Sequence, residues 1–171
     1  MERWDIYDKN KQKTGRTMAR NDWRMVPGDY HLTVIGILQR PDGRFLITQR
    51  KMDKDWGAGW WEVTGGGVRA GETSEQAVRR ELREETTLDV SQAQGGYAFT
   101  YQRDNPAEQN NYFVDVYKFI MAFDKTDIAM QAEEVSHFDI VTADQIKAYA
   151  DQGIFLHYNA LKTLFVAPTN D

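Results

Sequence analysis

Apolar and polar residues alternate, run together or recur at helical spacing in separate stretches of this chain, and each pattern predicts an element. Trp4-Asp-Ile-Tyr-Asp8 alternates like a strand, and the turn-like residues 9–15 after it predict a small hairpin. Pro27-Gly28-Asp29 closes a polar N-terminal extension of residues 1–30. The apolar run 31–38 fits a buried strand. Pro41-Asp-Gly43 marks a tight turn, after which residues 44–50 alternate around Phe45 and Ile47. Residues 51–59 read as a charged loop, and 60–63 as a short strand entering Gly65-Gly66-Gly67. Aromatic-rich strands are predicted over 96–103 and 111–123, joined by a polar loop containing Pro106. Another strand covers 135–141. Helices are predicted over 142–152 and 155–166, separated by Gly153, and 167–171 read as a loose tail.

The segment 74–86 has helical spacing, with Thr73 or Ser74 as its N-cap and a narrow apolar side of Ala77, Val78 and Leu82. Glu81, Glu84 and Glu85 lie three and four residues apart and share one face of this helix, spread over roughly 100°. Like charges this close repel one another. Most charged helix faces are solvated surface. Here the clustering calls for a compensating cation, and hard divalent ions that bridge to phosphate oxygens take oxygen ligands of this kind.

Strands interleaved with a few helices, without repeats or an evident boundary, predict one layered α/β or α+β domain over residues 1–171. The apolar content of 41% and aromatic content of 12% fit a folded core. The net charge of −5 gives no general help with nucleic acid, so a phosphate substrate needs a local metal or local basic residues. The absence of cysteine excludes disulfides, thiolate metal sites and cysteine nucleophiles. No apolar run reaches the roughly 20 residues of a membrane span, and the first residues lack a signal-peptide core. A soluble cytoplasmic protein without membrane or nucleic-acid partners is expected, with aromatic strands suited to a homodimer.

Residues 66–88 resemble the Nudix box: Gly, five residues, Glu, seven residues, Arg-Glu-aliphatic-x-Glu-Glu-x-Gly-aliphatic. Gly66, Glu72, Arg80, Glu81, Leu82, Glu84, Glu85 and Leu88 fit, and Thr87 stands where the family has glycine. That glycine ordinarily ends the helix in a left-handed turn, which a β-branched residue disfavours. The resemblance continues through the entry Trp61-Glu-Val-Thr-Gly-Gly-Gly-Val68 and the late segments 134–141 and 142–146. It implies the Nudix α/β/α sandwich with a mixed sheet, here with a small N-terminal β extension. Residues 4–15 are similar to the extension of a subgroup related to isopentenyl-diphosphate isomerases.

The resemblance implies a metal-dependent hydrolase that cleaves the diphosphate of a nucleoside diphosphate linked to a group X. Glu84 and Glu85 would hold Mg²⁺ or Mn²⁺, with the Gly65 carbonyl completing the ligands. Glu81 would be a third ligand or the base that activates water. Arg80 would orient a carboxylate, Glu72 would support the ligands, and Glu133 or Glu134 would supply a late-loop glutamate, Glu134 being the one ranked with Glu81 and Arg80 as catalytic. Trp56, Trp60, Trp61, Tyr97, Tyr101 and Tyr112 are candidates for stacking a base, Trp60 or Trp61 first, although aromatics are more often core. Arg50, Lys51 and Lys54 are candidates for substrate phosphates. His31, His137 and His157 read as structural or surface residues. An isomerase ranks lower, because that chemistry usually employs a cysteine with a glutamate. A non-catalytic ligand-binding Nudix domain also ranks lower, because the box glutamates are intact.

Overall fold

The structure, a computed structural model, describes residues 1–22, 24–130, 133 and 135–168. The chain opens with an antiparallel hairpin, β1 (Arg3–Tyr7) and β2 (Lys13–Ala19). The Asp8 carboxylate accepts from the Asn10 and Gln12 N–H groups and shapes the turn between them. The hairpin carries its own small core of Trp4, Ile6, Met18 and Met25.

The main sheet is built around β3 (His31–Gln39). This strand pairs in parallel with β8 (Tyr112–Ile120), from His31 opposite Tyr112 to Gln39 opposite Ile120. It pairs antiparallel with β6 (Thr64–Gly67) and, at its end, with β4 (Phe45–Arg50). β4 carries β5 (Trp61–Glu62) and β9 (Val135–Val141), and β7 (Gln94–Arg103) forms the far edge beside β8. The mixed sheet is covered on both faces. α1 (Ser74–Thr86) buries Ala77, Val78 and Leu82 against Val34, Leu38 and Phe119. α2 (Ala143–Asp151) and the short α3 (Tyr158–Leu161) bury Ile146 and Leu161 against Ile35, Ile37, Val114 and Val116 on the other. This is the expected α/β/α arrangement with a mixed sheet and an N-terminal β hairpin.

In β4, Phe45 and Ile47 enter one core, Leu46 the other, and Thr48 is buried too. A strand between two helical layers has no solvent face. The expected continuous helix over 155–166 is not formed. Phe155 instead bridges to Trp61 as an extra strand position, and His157 turns left-handed at φ 62°, so only α3 and a 3₁₀ turn at Lys162–Leu164 follow.

His31 shows how tightly the hairpin is joined to the sheet. It is 3% exposed, stacks on the Trp4 indole at 4.4 Å and lies 2.9 Å from the Asn110 side-chain oxygen through Nε2. Burial lowers its pKa to about 4. The unfolded chain therefore takes up this proton first, near pH 6.5. His31's contribution is complete above that pH and is lost as pH falls towards 4, by about 2 kcal/mol at pH 5. Urea unfolding at pH 7 and pH 5 checks this. The loss of stability between the two is expected to be smaller by about that amount in His31→Gln, and an unchanged loss would refute the assignment.

Candidate active site

α1 starts and stops through local chemistry that the sequence contains. The Thr73 hydroxyl accepts from the Gln76 N–H, and the Gln76 side chain accepts from the Thr73 N–H, a reciprocal cap that contributes about 1 kcal/mol. At the other end Thr87 adopts the left-handed conformation despite its β-branch, at φ 65°. That conformation costs about 1–2 kcal/mol. It is offset by the Thr87 N–H donating to Arg83 O, the Thr87 hydroxyl donating to Asp127 O and the Ala129 N–H donating to the same hydroxyl. The glycine position of the box thus keeps its geometry without glycine.

Missing side chains fix how closely the helix lies on the sheet. A Cβ on Gly36 of β3 would come within 2.8 Å of Val78 Cγ2, so a larger residue there would push α1 away. On β6, a Cβ at Gly66 would overlap the Glu81 carboxylate. Glycine at 66 therefore makes a cradle in which that carboxylate rests on backbone.

Arg80 is the hub of the site. Its Nε and Nη2 donate to the two oxygens of Glu72 at 2.8 and 2.9 Å, a bidentate pair, while Nη1 donates to Glu81 at 2.9 Å and to Glu84 at 3.3 Å. Nη2 also donates to the Gly67 carbonyl at 3.1 Å. The Val68 N–H donates to Leu32 O, so alternation along the antiparallel ladder turns the Gly65 and Gly67 carbonyls off β3 to the same edge. Arg69 adds a second cation, 3.8 Å from Glu84. Part of the repulsion among the helix carboxylates is therefore met by arginines.

These contacts separate the carboxylates electrostatically. Hydrogen bonds from Arg80 and the Arg69 N–H, with both guanidinium charges, outweigh the burial of Glu72 and hold it below the usual glutamate range. Glu81 is pushed upward, because burial outweighs its contact with Arg80 while Glu84 and Glu2 add like charge. Arg80 is raised, chiefly by its hydrogen bond to Glu72. Of these two carboxylates, Glu81 is the one that burial drives towards acquiring a proton or a cation.

The structure brings Gly65, Gly66, Glu72, Arg80, Glu81 and Glu84 together, and half-buried Glu85 lies on the same helix. Among the described residues, no three acidic or histidine side chains are already gathered closely enough to hold a metal ion. Glu133 is an exposed turn residue, and Glu134 lies outside the described residues. Trp61 is a packing residue, stacked on Tyr149 of α2 at 5.4 Å with both backbone groups bonded to 154 and 156. Arg50 is engaged by the Trp56 ring at 4.1 Å and by Glu62 at 3.5 Å.

On the α2–α3 face a cavity of about 370 Å³ opens between Tyr101, Phe155 and Tyr158, with Arg103, His157 and Asn159 at its walls. Burial raises the Tyr101 hydroxyl to about 12, and that buried oxygen has no hydrogen-bond partner among the described residues. His157 is held low by burial and by the Arg103 and Arg50 charges, so the slot pairs a neutral imidazole with a guanidinium. Sequence reasoning named Tyr101 as a stacking candidate but missed Arg103 and His157, which topology alone brings there. It also missed Glu2, Trp4 and Arg69 beside the box, for which the small residues at 66 and 67 were the available signal. A wider cleft lined by Arg40, Arg44, Lys125, Asp124 and Asp139 contains no box residue. Among the described residues, no helix is long and apolar enough to cross a membrane.

The NUDIX domain family matches residues 29–161. An uncharacterized Nudix hydrolase of Listeria innocua is 30% identical over 168 residues, 96% of this chain and 94% of that protein. The CTP pyrophosphohydrolase of Escherichia coli K12 is 42% identical over 71 residues, 42% of this chain and 50% of its own. The crystal structure of DR0079 from Deinococcus radiodurans shares the fold at a TM-score of 0.74 and 22% identity, over 96% of this chain and 99% of that one. The chain belongs to the NUDIX domain family.

Proposed function

We propose that this protein is a metal-dependent pyrophosphohydrolase acting on a small-molecule diphosphate of the nucleoside diphosphate-X type. The observation that carries the reading is the Glu81 carboxylate, held against the side-chain-free backbone of Gly66 while Arg80 ties it to Glu84 and Glu72. The donors at hand are all oxygen, which suits Mg²⁺ or Mn²⁺. Glu84 and Glu85 would hold the ion, with Gly65 O as a further donor and Glu81 as ligand or base. When bound, the ion neutralises phosphate charge and acidifies water. Water oxygen attacks one phosphorus, the bridging P–O bond breaks with its electron pair leaving on the departing phosphate, and the proton goes to Glu81 where Glu81 is the base. Arg80 keeps Glu81 aimed.

The hairpin keeps an isopentenyl-diphosphate-isomerase-related ancestry in view, but the lack of cysteine places hydrolysis first. A small molecule is the only partner this reading needs, and the aromatic edge strand β7, with Tyr97 exposed, is where a homodimer contact would form.

The test is phosphate release from a panel of nucleotide sugars, ADP-ribose, dinucleotides, nucleoside triphosphates including CTP, and isopentenyl diphosphate, with and without Mg²⁺ or Mn²⁺. Release from at least one substrate only with metal is expected. Glu84→Gln/Glu85→Gln is expected to abolish release and to weaken Mn²⁺ binding in calorimetry. Equal Mn²⁺ binding by both proteins would remove the metal assignment, and isomerisation of isopentenyl diphosphate without any hydrolysis would reverse the ranking.

A further inference from the structure

The N-terminal hairpin and Glu2 before it touch the box at Gly67, Arg69, Ala70 and Gly71, where β6 leads into α1. Residues 1–28 precede the segment that matches the family, yet their contacts converge on it. The Trp4 ring lies on Gly67 so closely that a Cβ there would meet Nε1 at 2.7 Å and Cε2 and Cζ2 at 2.9 Å. The Ala70 N–H donates to Arg3 O at 2.8 Å, and the Gly71 N–H donates to the Asp5 carboxylate at 2.9 Å. Glu2 lies 3.9 Å from Arg69, whose other nitrogen is 3.8 Å from Glu84. A carboxylate of the hairpin and a carboxylate of the box therefore share one guanidinium.

The piece that makes these contacts is built to hold its place. Trp4 is 5% exposed, packs with Ile6, Met18 and Met25, and stacks on His31 of β3. The hairpin tip is fastened separately by Lys11 to Asp115 of β8 at 2.7 Å. Pinned at both ends, the hairpin presses on the one strand whose carbonyl, at Gly67, accepts from Arg80.

We propose that the hairpin is a positioning part of the active site: Trp4 sets β6 against α1 and, through the Gly67 carbonyl and Arg80, fixes the aim of Glu72, Glu81 and Glu84. This rests on the hydrolase reading above. Trp4 does not reach the reacting atoms; it acts through Gly67. The plainer alternative is that Trp4 only fills a core. A core role predicts lost stability with an unchanged site in whatever protein remains folded. Positioning predicts a changed site, because partners that orient metal ligands typically alter affinity or activity by 10–100-fold.

The experiment compares Trp4→Ala, Trp4→Phe, Gly67→Ala, the pair Trp4→Ala/Gly67→Ala, and Met25→Ala, which removes burial from the same small core. Mn²⁺ affinity by electron paramagnetic resonance and steady-state hydrolysis are read well below each variant's unfolding temperature. Trp4→Ala is expected to weaken Mn²⁺ binding and lower kcat by about 10–100-fold, with KM little changed. Trp4→Phe is expected to restore most of both, and Met25→Ala to leave both unchanged. Gly67→Ala is expected to be as harmful as Trp4→Ala but to add little in the Trp4→Ala background, since the collision it creates is then gone. Wild-type Mn²⁺ affinity and kcat in folded Trp4→Ala, or simply additive effects of the pair, would overturn the proposal. If Trp4→Ala does not fold, Trp4→Phe and Gly67→Ala decide through the same two readings. If wild type releases no phosphate from any diphosphate, the hydrolase reading fails by itself, while Mn²⁺ affinity still decides the role of Trp4.

Discussion

Replacing Glu81 by Gln is expected to lower turnover by about 10²–10⁴-fold, the range of general acid–base catalysis, while substrate affinity changes much less. The shape of the side chain is kept, so its seat against Gly66 and one hydrogen bond from Arg80 survive. What is lost is the capacity to take a proton from water. Burial already pushes the Glu81 carboxyl upward in the protein alone. A bound cation acts in the opposite sense, because it favours the charged form. The acidic limb of the turnover profile is therefore expected to move to lower pH as Mg²⁺ rises, and to disappear in Glu81→Gln. Glu133→Gln and Glu134→Gln are expected to be milder. A late-loop variant that abolishes turnover, with Glu81→Gln mainly weakening Mn²⁺ binding, would make Glu81 a ligand and place the base in that loop.

Much of this architecture is legible in the sequence because the relevant forces are local. The start of α1 follows from the Thr73 or Ser74 cap and its course from the helical spacing of Ala77, Val78 and Leu82, and the predicted span matches Ser74–Thr86. The strand at 4–8, the turn after it and β3 follow from alternation, turn residues and an unbroken apolar run, although residues 13–15, read as turn, already belong to β2. What failed was decided by distant contacts. Residues 155–166 have helical spacing, yet backbone pairing of 154 and 156 with Trp61 holds the start of that segment extended. Thr87 shows the reverse: a local rule argues against a left-handed residue, and three hydrogen bonds hold it there. At the site, box spacing places the carboxylates on one helix face. It says nothing of Trp4 or Arg69, because their positions depend on how a separate hairpin docks.

The second large effect is expected at the hairpin tip, where Lys11 donates to the Asp115 carboxylate at 2.7 Å and the Thr100 hydroxyl donates to the same oxygen at 2.6 Å. Asp115 sits in the middle of β8 with its side chain 4% exposed, whereas the Lys11 side chain is 34% exposed. Removing the lysine alone leaves a buried carboxylate with one hydroxyl to answer its charge. Breaking a buried pair in this way typically costs 3–5 kcal/mol, and the partial exposure of Lys11 favours the low end, about 3 kcal/mol. For a chain of this size that corresponds to a fall in Tm of roughly 6–12 °C. Lys11→Met is the direct variant, since it keeps the aliphatic stem. Asp115→Asn is expected to cost less, because its amide oxygen still accepts from Thr100 and no charge is left buried. In the double variant Lys11→Met/Asp115→Asn, most of the cost of Lys11→Met is expected to vanish. Thermal unfolding of the four proteins measures the coupling. If Lys11→Met costs the same whether residue 115 is Asp or Asn, the pair is a surface contact and the hairpin is held by its apolar core alone.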